Sequence, residues 1–204
     1  MTDTTSIRIL VIPGSVRPHN YTHMAANVVV DELTKQRLTV ETIEPADLNL
    51  PFPGTNPKAE GTRVLQQAVA SATGVVLVTP EYHGSFSSIM KLVIENLGFP
   101  SALVGKPVAL VGVASGSIGA IKSLEHLRSV VSHIGAIALP LPVSVAHVQK
   151  VFDTQGQVQD PAVGKLLRTA ATNLVKYIEE NICPRMTLER ILREGPGAIE
   201  TVTR

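Results

Sequence analysis

The feature that most constrains the fold is a short apolar run that ends in a compact polar loop. Residues 74–78 read GVVLV, and a run this short and this rich in β-branched side chains predicts a strand buried on both faces. The loop that follows, residues 79–85 (TPEYHGS), therefore lies at the carboxyl end of a buried strand. In doubly wound α/β sheets that edge binds ligands, because the loops there converge on a crevice. Taken alone, the segment fits a plain strand-to-helix turn as well as a binding site.

The same order of strand and helix recurs along the chain. Apolar runs at residues 7–12, 108–114 and 136–139 predict three more strands, and the alternating apolar and polar residues at 38–43 predict a fourth, less buried strand next to an edge. Segments with helical spacing of apolar residues follow these strands. Inner strands that are apolar throughout are typical of a parallel sheet covered on both faces. We therefore predict an α/β fold, a doubly wound five-stranded parallel sheet with helices on both faces. At 204 residues, a single domain over 1–204 is expected, with 184–204 as a C-terminal extension.

The charge balance and the cysteine count exclude several classes of partner. Lys and Arg number 18 against 17 Asp and Glu, and a net charge of +1 gives no field for nucleic acid or an anionic membrane surface. One cysteine, Cys183, excludes an internal disulfide and any multi-cysteine metal site. No apolar run reaches membrane length, and residues 1–6 are polar with no basic segment. We expect a cytoplasmic protein without nucleic-acid, membrane or metal partners.

Three of the predicted strands end in loops of small residues at the same edge of the sheet. The loops are residues 13–17 (PGSVR), 80–85 (PEYHGS) and 114–117 (ASGS). The first loop meets a helix N-terminus, where free N–H groups and the helix dipole favour a phosphate, and Arg17 adds a charged donor. Ser15, Asn20 and Thr22 supply further donors. A capped helix with a surface arginine explains the first loop alone, but the three loops together favour a site for a flat, phosphorylated cofactor.

Several other cofactor and catalytic motifs do not occur in the sequence. There is no GxxxxGK[ST], and Gly112, Gly116 and Gly119 do not form GxGxxG, which argues against a P-loop or Rossmann protein. The absence of HExxH and of paired Cys or His spacings argues against metal chemistry. Ser115 is not part of GxSxG, which argues against a hydrolase.

The three loops taken together resemble a known family. The segments 14–17 (GSVR), 80–85 (PEYHGS) and 115–119 (SGSIG) look like those of the NADPH-dependent FMN reductases of the flavodoxin-like superfamily, which includes quinone, azo-dye and chromate reductases. The resemblance covers about residues 7–180. It implies a flavodoxin-like sheet with strand order 2-1-3-4-5.

The resemblance also implies a cofactor and its site. FMN is expected to bind without covalent attachment, with its phosphate in the first loop and its isoalloxazine ring against the other two. The residues implied for cofactor binding are Ser15, Arg17, Asn20, Tyr21, Thr22, Pro80, Glu81, Tyr82, His83, Gly84, Ser115, Gly116 and Ser117. A homodimer, possibly a homotetramer, is implied, with the third helices and neighbouring loops close to the partner's flavin. Because the flavin performs the chemistry, no residue is assigned a catalytic role and no metal site is expected.

These observations predict an NAD(P)H-dependent FMN flavoprotein reductase. Hydride would pass from NADPH or NADH to bound FMN, and then to a quinone, a free flavin or a similar small acceptor. One alternative is a flavodoxin-type electron carrier, although such carriers are typically strongly acidic and this chain is neutral. Another is a regulatory or binding module of the same fold that has lost the flavin.

The sequence departs from the family pattern at a few positions. His83 stands where the family usually has Asn, and Asn20 and Thr22 stand where it often has Ser and Asn. Lys122 stands in place of the arginine of a Gly-Gly-x-Arg segment. These departures affect two of the contacts that the resemblance implies. One is the contact of residue 83 with the flavin ring, and the other is that of residue 122 with the nicotinamide cofactor.

Overall fold

The computed structural model describes residues 7–36 and 38–194, and its centre is a parallel sheet. The strands are β1 (Arg8–Pro13), β2 (Thr39–Thr42), β3 (Gly74–Tyr82), β4 (Ser85–Phe86), β5 (Pro107–Val113), β6 (Ile137–Ala138) and β7 (Val143–Val145). Their order is β2-β1-β3-β5-β6, with β7 also paired to β5 and β4 paired to β3. All pairs are parallel except β3 with β4. The predicted doubly wound order 2-1-3-4-5 is therefore confirmed.

The fifth position of the sheet is divided between two short strands, of which the sequence predicted the first, at residues 136–139, but not the second. Both β6 and β7 pair with β5, and the segment between them reads LPLP over residues 139–142. Pro140 and Pro142 have no N–H to donate to a neighbouring strand, and Leu141 has a φ of 58°. The edge strand is therefore interrupted where the two prolines stand.

Helices cover both faces of the sheet. They are α1 (Tyr21–Lys35), α2 (Glu60–Ser71), α3 (Ser88–Glu95), α4 (Ile121–His133), α5 (Pro161–Tyr177) and α6 (Cys183–Glu194), with single helical turns at Pro45–Leu48 and Val148–Lys150. One core cluster joins α1 and α5 to one face of the sheet, and a second joins α2, α3 and α4 to the other. Strands β3 and β5 supply both clusters with buried side chains, as predicted for apolar inner strands.

The end of the chain adds a helix that was not predicted. A turn of π-helix at Ile178–Ile182 links α5 to α6. The expected C-terminal extension, residues 184–204, is therefore helical up to Glu194, and the rest of it lies outside the described residues. No helix in residues 7–36 and 38–194 combines the length and the hydropathy needed to cross a bilayer.

Candidate active site

The first loop leaves β1 close to the start of α3. The Gly14 amide donates to Val78 O at 2.7 Å, which continues the pairing of β1 with β3 past the strand end. A Cβ on Gly14 would lie 3.1 Å from Met90 Cβ and 3.2 Å from Ser87 Oγ, closer than side chains normally pack. Glycine therefore lets the loop cross the end of α3 at this point.

The start of α1 is shaped by Asn20. Asn20 has extended backbone and is the N-cap, with its side-chain Oδ1 accepting from the His23 amide at 2.9 Å. The amides of Tyr21 and Thr22 are the first in the helix, and such N–H groups have no partner within the helix. Ser15 is buried at 3% exposure, and Arg17 is exposed. The loop therefore offers free amides, a hydroxyl and a guanidinium at one helix end, which is the donor set that a phosphate needs.

The second loop is a hairpin and not a plain strand-to-helix turn. Strand β3 continues through Pro80, Glu81 and Tyr82, and Tyr82 pairs with Ser85 across a two-residue turn. Both turn residues have positive φ, 51° at His83 and 74° at Gly84. Turns of this kind match the right-handed twist of antiparallel strands, and they favour Asn-Gly because both residues must adopt left-handed backbone. His is also tolerated in this region, which explains how His83 can replace Asn.

Ser87 ties the first loop to the second. Its hydroxyl donates to Gly14 O at 2.5 Å and accepts from the Met90 amide at 3.0 Å as the N-cap of α3. Its amide donates to Thr79 Oγ1 at 3.2 Å. Ser87 and Thr79 are both buried, so these bonds fix the relative position of the two loops in the interior.

Glu81 is a helix cap. Its Oε2 accepts from the Ser123 amide at 3.0 Å, in the first turn of α4. The residue before this helix, Ala120, has no side chain that can cap it, so the Glu81 carboxylate supplies the missing acceptor. The negative charge of Glu81 also interacts favourably with the positive end of the helix dipole. Glu81 therefore links the second loop to α4.

The third loop, after β5, is more open. Ser115, Gly116 and Ser117 are exposed. The segment that follows β7 makes backbone hydrogen bonds to this loop. Val148 N donates to Ala114 O at 3.0 Å, and His147 N donates to Gly116 O at 3.2 Å. The loop therefore presents its small side chains to solvent at the carboxyl edge of the sheet.

The three loops enclose one cleft, which we call the central cleft. Its volume is about 270 Å³, and its lining consists of Arg17, Pro18, His19, Asn20, Tyr21, Thr22, Pro80, Glu81, Tyr82, Val113, Ala114, Ser115 and Val148. The structure thus brings together eight of the residues named from the sequence, namely Arg17, Asn20, Tyr21, Thr22, Pro80, Glu81, Tyr82 and Ser115. Backbone groups, hydroxyls and an aromatic ring line this one cavity. Such a lining suits a flat ligand with polar groups.

A second cleft adjoins the first on the other side of residues 17–20, and we call it the outer cleft. It has a volume of about 450 Å³, and Ser15, Arg17, Asn20, His23 and Glu44 are among its lining residues. Four of the named residues, His83, Gly84, Gly116 and Ser117, line neither cleft. They lie in the turn of the second loop and at the exposed tip of the third.

Some residues of the site were not found from the sequence. Val148 reaches the central cleft from a distant helical turn, and no motif marks it. His23 and Glu44 are joined by a contact of 2.5 Å between Nε2 and Oε2, and they are far apart in the chain. Their residue types could have suggested an ion pair, but the sequence does not show that the end of β2 lies beside the start of α1.

The resolved pKa shifts belong to groups away from the central cleft. Burial lowers the pKa of Lys106, whose Nζ donates to Ala72 O at 2.6 Å near the amino end of β5. Hydrogen bonds from Lys35 and then Arg168 lower the pKa of Asp31 on α1. Burial, and then the charge of Glu179, raises the pKa of the Cys183 thiol. These shifts are accounted for by packing and ion pairing outside the cleft.

Comparisons with known proteins identify relatives with redox activity. The chain is 33% identical over 142 residues to the FMN-dependent NADPH-azoreductase of Staphylococcus haemolyticus, covering 66% of this chain and 74% of that one. It is 24% identical over 186 residues to the 2-hydroxy-1,4-benzoquinone reductase of a Burkholderia species, covering 86% and 98%.

Solved structures agree with the sequence comparisons. FerB, a flavoenzyme NAD(P)H:(acceptor) oxidoreductase of Paracoccus denitrificans, superposes with a TM-score of 0.71 at 25% identity, covering 85% of this chain and 98% of that one. A flavodoxin of Streptococcus pneumoniae shares the fold, with a TM-score of 0.56 at 16% identity over 83% of this chain and 98% of that one.

The family assignment rests on a match over most of the chain. The model of the NADPH-dependent FMN reductases matches residues 7–150, which span β1 to the turn after β7 and include all three loops. The protein is therefore an NAD(P)H-dependent enzyme of the NADPH-dependent FMN reductase family, with FMN as its cofactor and NADPH (or NADH) as its reductant.

Proposed function

We propose that the enzyme reduces a quinone, a free flavin or a similar small acceptor, with NADPH or NADH as the electron source. The observation that carries this proposal is the central cleft, in which loops from three neighbouring strands face one cavity at the carboxyl edge of the sheet. When bound, FMN supplies the hydride chemistry. The protein binds and orients the reactants, and the described residues do so with amides, hydroxyls, a guanidinium and an aromatic ring.

The first loop is proposed to hold the FMN phosphate. Ser15, Arg17 and Thr22 would provide it with hydroxyl and guanidinium groups, and Asn20 with its backbone N–H, together with the free amides at the start of α1. The helix dipole adds to the attraction for an anion at this end. Of these groups, only Arg17 carries a full positive charge, so it is expected to give the strongest single contact.

The second and third loops are proposed to hold the ring system. Tyr82 is exposed at the rim of the central cleft and offers a flat face, and Pro80 and Glu81 line the wall beside it. His83, Gly84, Gly116 and Ser117 are proposed to complete the ring site from the turn and the exposed loop tip. Glu81 orients this wall through its bond to the Ser123 amide and is not assigned a general-base role.

The assembly is proposed to be a homodimer, possibly pairing into a tetramer, and its location to be the cytoplasm. Phe99, after α3, is fully exposed, and Phe86 and Ile89 are half-buried in the same part of the chain. Leu97, two residues past the end of α3, is 2% exposed and packs within its own subunit, so it is not available for such a contact. The apolar surface around Phe99 therefore supports the proposed two-fold contact without Leu97.

The proposal is tested on the purified protein in two steps. Denaturation should release FMN and not FAD, and anaerobic addition of NADPH to the flavin-loaded protein should bleach the flavin absorbance. Reoxidation by a benzoquinone should then restore it. If NADPH and NADH both leave the colour unchanged unless a separate reductase is added, the protein is an electron carrier. A chain that fails to take up FMN would instead be a regulatory module.

A further inference from the structure

A chain of hydrogen-bonded side chains runs from the loop after β2 to the first loop. Glu44 Oε2 lies 2.5 Å from His23 Nε2, and His23 Nδ1 lies 2.7 Å from Asn20 Nδ2. Asn20 Nδ2 in turn donates to Arg17 O at 2.5 Å. The relay, as we call Glu44, His23 and Asn20, thus connects a carboxylate beside the edge strand to the backbone of the proposed phosphate loop.

The chemistry of the partners places the protons in this relay. An ionised carboxylate can only accept, so His23 Nε2 carries the N–H that points to Glu44. In the neutral imidazole, Nδ1 is then the acceptor and takes one N–H of Asn20, whose other N–H goes to Arg17 O. Asn20 Oδ1 remains free to accept from the His23 amide. With this tautomer, each polar group of the Asn20 side chain has a partner.

Among the described residues, few other hydrogen bonds hold residues 16–19, the part of the first loop that the relay reaches. The residues from Val16 to His19 are exposed, and the contact from Arg17 N to Ser15 Oγ is long, at 3.4 Å. His19 has a φ of 48°, a conformation that a free chain adopts rarely. The bond from Asn20 to Arg17 O closes this turn, and His23 fixes the amide that makes it.

We propose that His23 and Glu44 are positioning residues that hold residues 17–20 in the conformation that receives the FMN phosphate. The inference rests on the placement of the phosphate in the first loop proposed above. Neither residue touches the flavin in this account, since both act through Asn20. The same arrangement occurs at metal sites and catalytic histidines, where a carboxylate fixes the tautomer and the ring orientation of its partner.

Simple electrostatics makes the opposite prediction for Glu44, which allows a sharp test. A carboxylate near an anion site repels the anion, so its removal should strengthen FMN binding if only its charge matters. If the relay positions the loop, its removal should weaken binding instead. The sign of the change in FMN affinity therefore distinguishes the two accounts.

The experiment measures the dissociation constants of FMN and riboflavin for the full chain after removal of its flavin. Glu44→Ala and His23→Ala should each weaken FMN binding about three- to tenfold, the range for one lost hydrogen bond. Riboflavin, which lacks the phosphate, should bind each variant within twofold of the parent. The double variant should be no worse than His23→Ala alone, because Glu44 acts only through His23.

Two further variants serve as controls for the measured FMN and riboflavin affinities. Glu41→Ala removes a carboxylate from β2 that contacts Arg8 and lies outside the relay, so it should leave both affinities unchanged. Arg17→Ala tests the placement of the phosphate itself, and if it affects both flavins equally, the proposed phosphate loop is wrong. Suppose that Arg17→Ala weakens only FMN binding, so that the phosphate is placed correctly. The proposed role of the relay is then wrong if Glu44→Ala strengthens FMN binding. It is also wrong if the losses in FMN affinity caused by Glu44→Ala and His23→Ala multiply in the double variant. Melting temperatures of the flavin-free variants identify any loss from unfolding, and Glu44 lies on a surface loop where substitution is tolerated.

Discussion

The guanidinium carbon of Arg17 lies 4.9 Å from the centre of the Tyr82 ring. The first loop therefore contacts the second through a cation–π interaction across the central cleft, in addition to the buried bonds of Ser87. The contact places the cation proposed for the phosphate beside the aromatic ring proposed for the flavin. The two ends of a single FMN molecule would thus be bound by two residues that contact each other.

Replacing Arg17 by alanine should affect FMN and riboflavin differently. A charged donor to the phosphate contributes roughly 1.5 to 3 kcal/mol, so Arg17→Ala should weaken FMN binding by about tenfold to a hundredfold. Riboflavin binding should hardly change. Fluorescence titration of the two flavins measures this contrast. Parental FMN affinity in the variant would show that hydroxyls and backbone amides hold the phosphate without Arg17.

Replacing Tyr82 by alanine should weaken both flavins to a similar degree, because its aromatic face is proposed to contact the ring system that they share. Stacking on an aromatic residue contributes on the order of 1 kcal/mol, which corresponds to about fivefold in affinity. Tyr82→Phe keeps the ring and serves as the matched control. A loss confined to FMN would place Tyr82 at the phosphate and contradict the proposed orientation.

Removing the carboxylate of Glu81 should destabilise the fold by about 0.5 to 2 kcal/mol, the usual cost of losing a helix cap. Glu81→Gln should cost less, since its amide oxygen can still accept from the Ser123 amide. Urea unfolding of the flavin-free chain measures both changes. Glu125→Ala, an exposed carboxylate on α4, is the control and should be close to neutral. Equal stability of Glu81→Ala and Glu125→Ala would show that the cap carries no weight.

The turn at His83 should tolerate asparagine and reject a β-branched residue. Left-handed backbone costs an ordinary side chain about 1 to 2 kcal/mol, and Val is among the worst cases. His83→Val should therefore lower the free energy of unfolding by about that amount, and His83→Asn should preserve or raise it. Chemical denaturation checks both. If His83→Val is as stable as the parent, the turn has another conformation in solution.

The proposed dimer should depend on Phe99. Because this side chain is fully exposed after α3, Phe99→Asp should shift the protein from dimer to monomer at micromolar concentration. Analytical ultracentrifugation measures the shift. Phe52→Asp is the control, since Phe52 is 75% exposed in the proline-rich segment after β2. A parent chain that sediments only as a monomer would remove the dimer from the proposal.

The sequence by itself determined the architecture and the edge of the sheet at which the central cleft lies. Apolar runs such as residues 74–78 and 108–114 are readable as inner strands, because a strand buried on both faces must be apolar at every position. The alternation of strands and helices then requires parallel pairing and right-handed crossovers, which bring the following loops to one edge. For that reason the sequence alone assigns Arg17, Pro80 and Ser115 to one cleft, which they line in the structure.

Only the tertiary structure decided how the loops are held in place. The hydrogen bonds between Ser87 and Gly14, between Glu81 and Ser123, and between Glu44 and His23 join residues that are far apart in the chain. Hydrogen bonds of this kind depend on distance and angle within a few tenths of an ångström, and neither composition nor periodicity carries that information. A strand pattern specifies which face is buried, whereas the partner of a single polar side chain is set by the packing of the whole sheet and its helices.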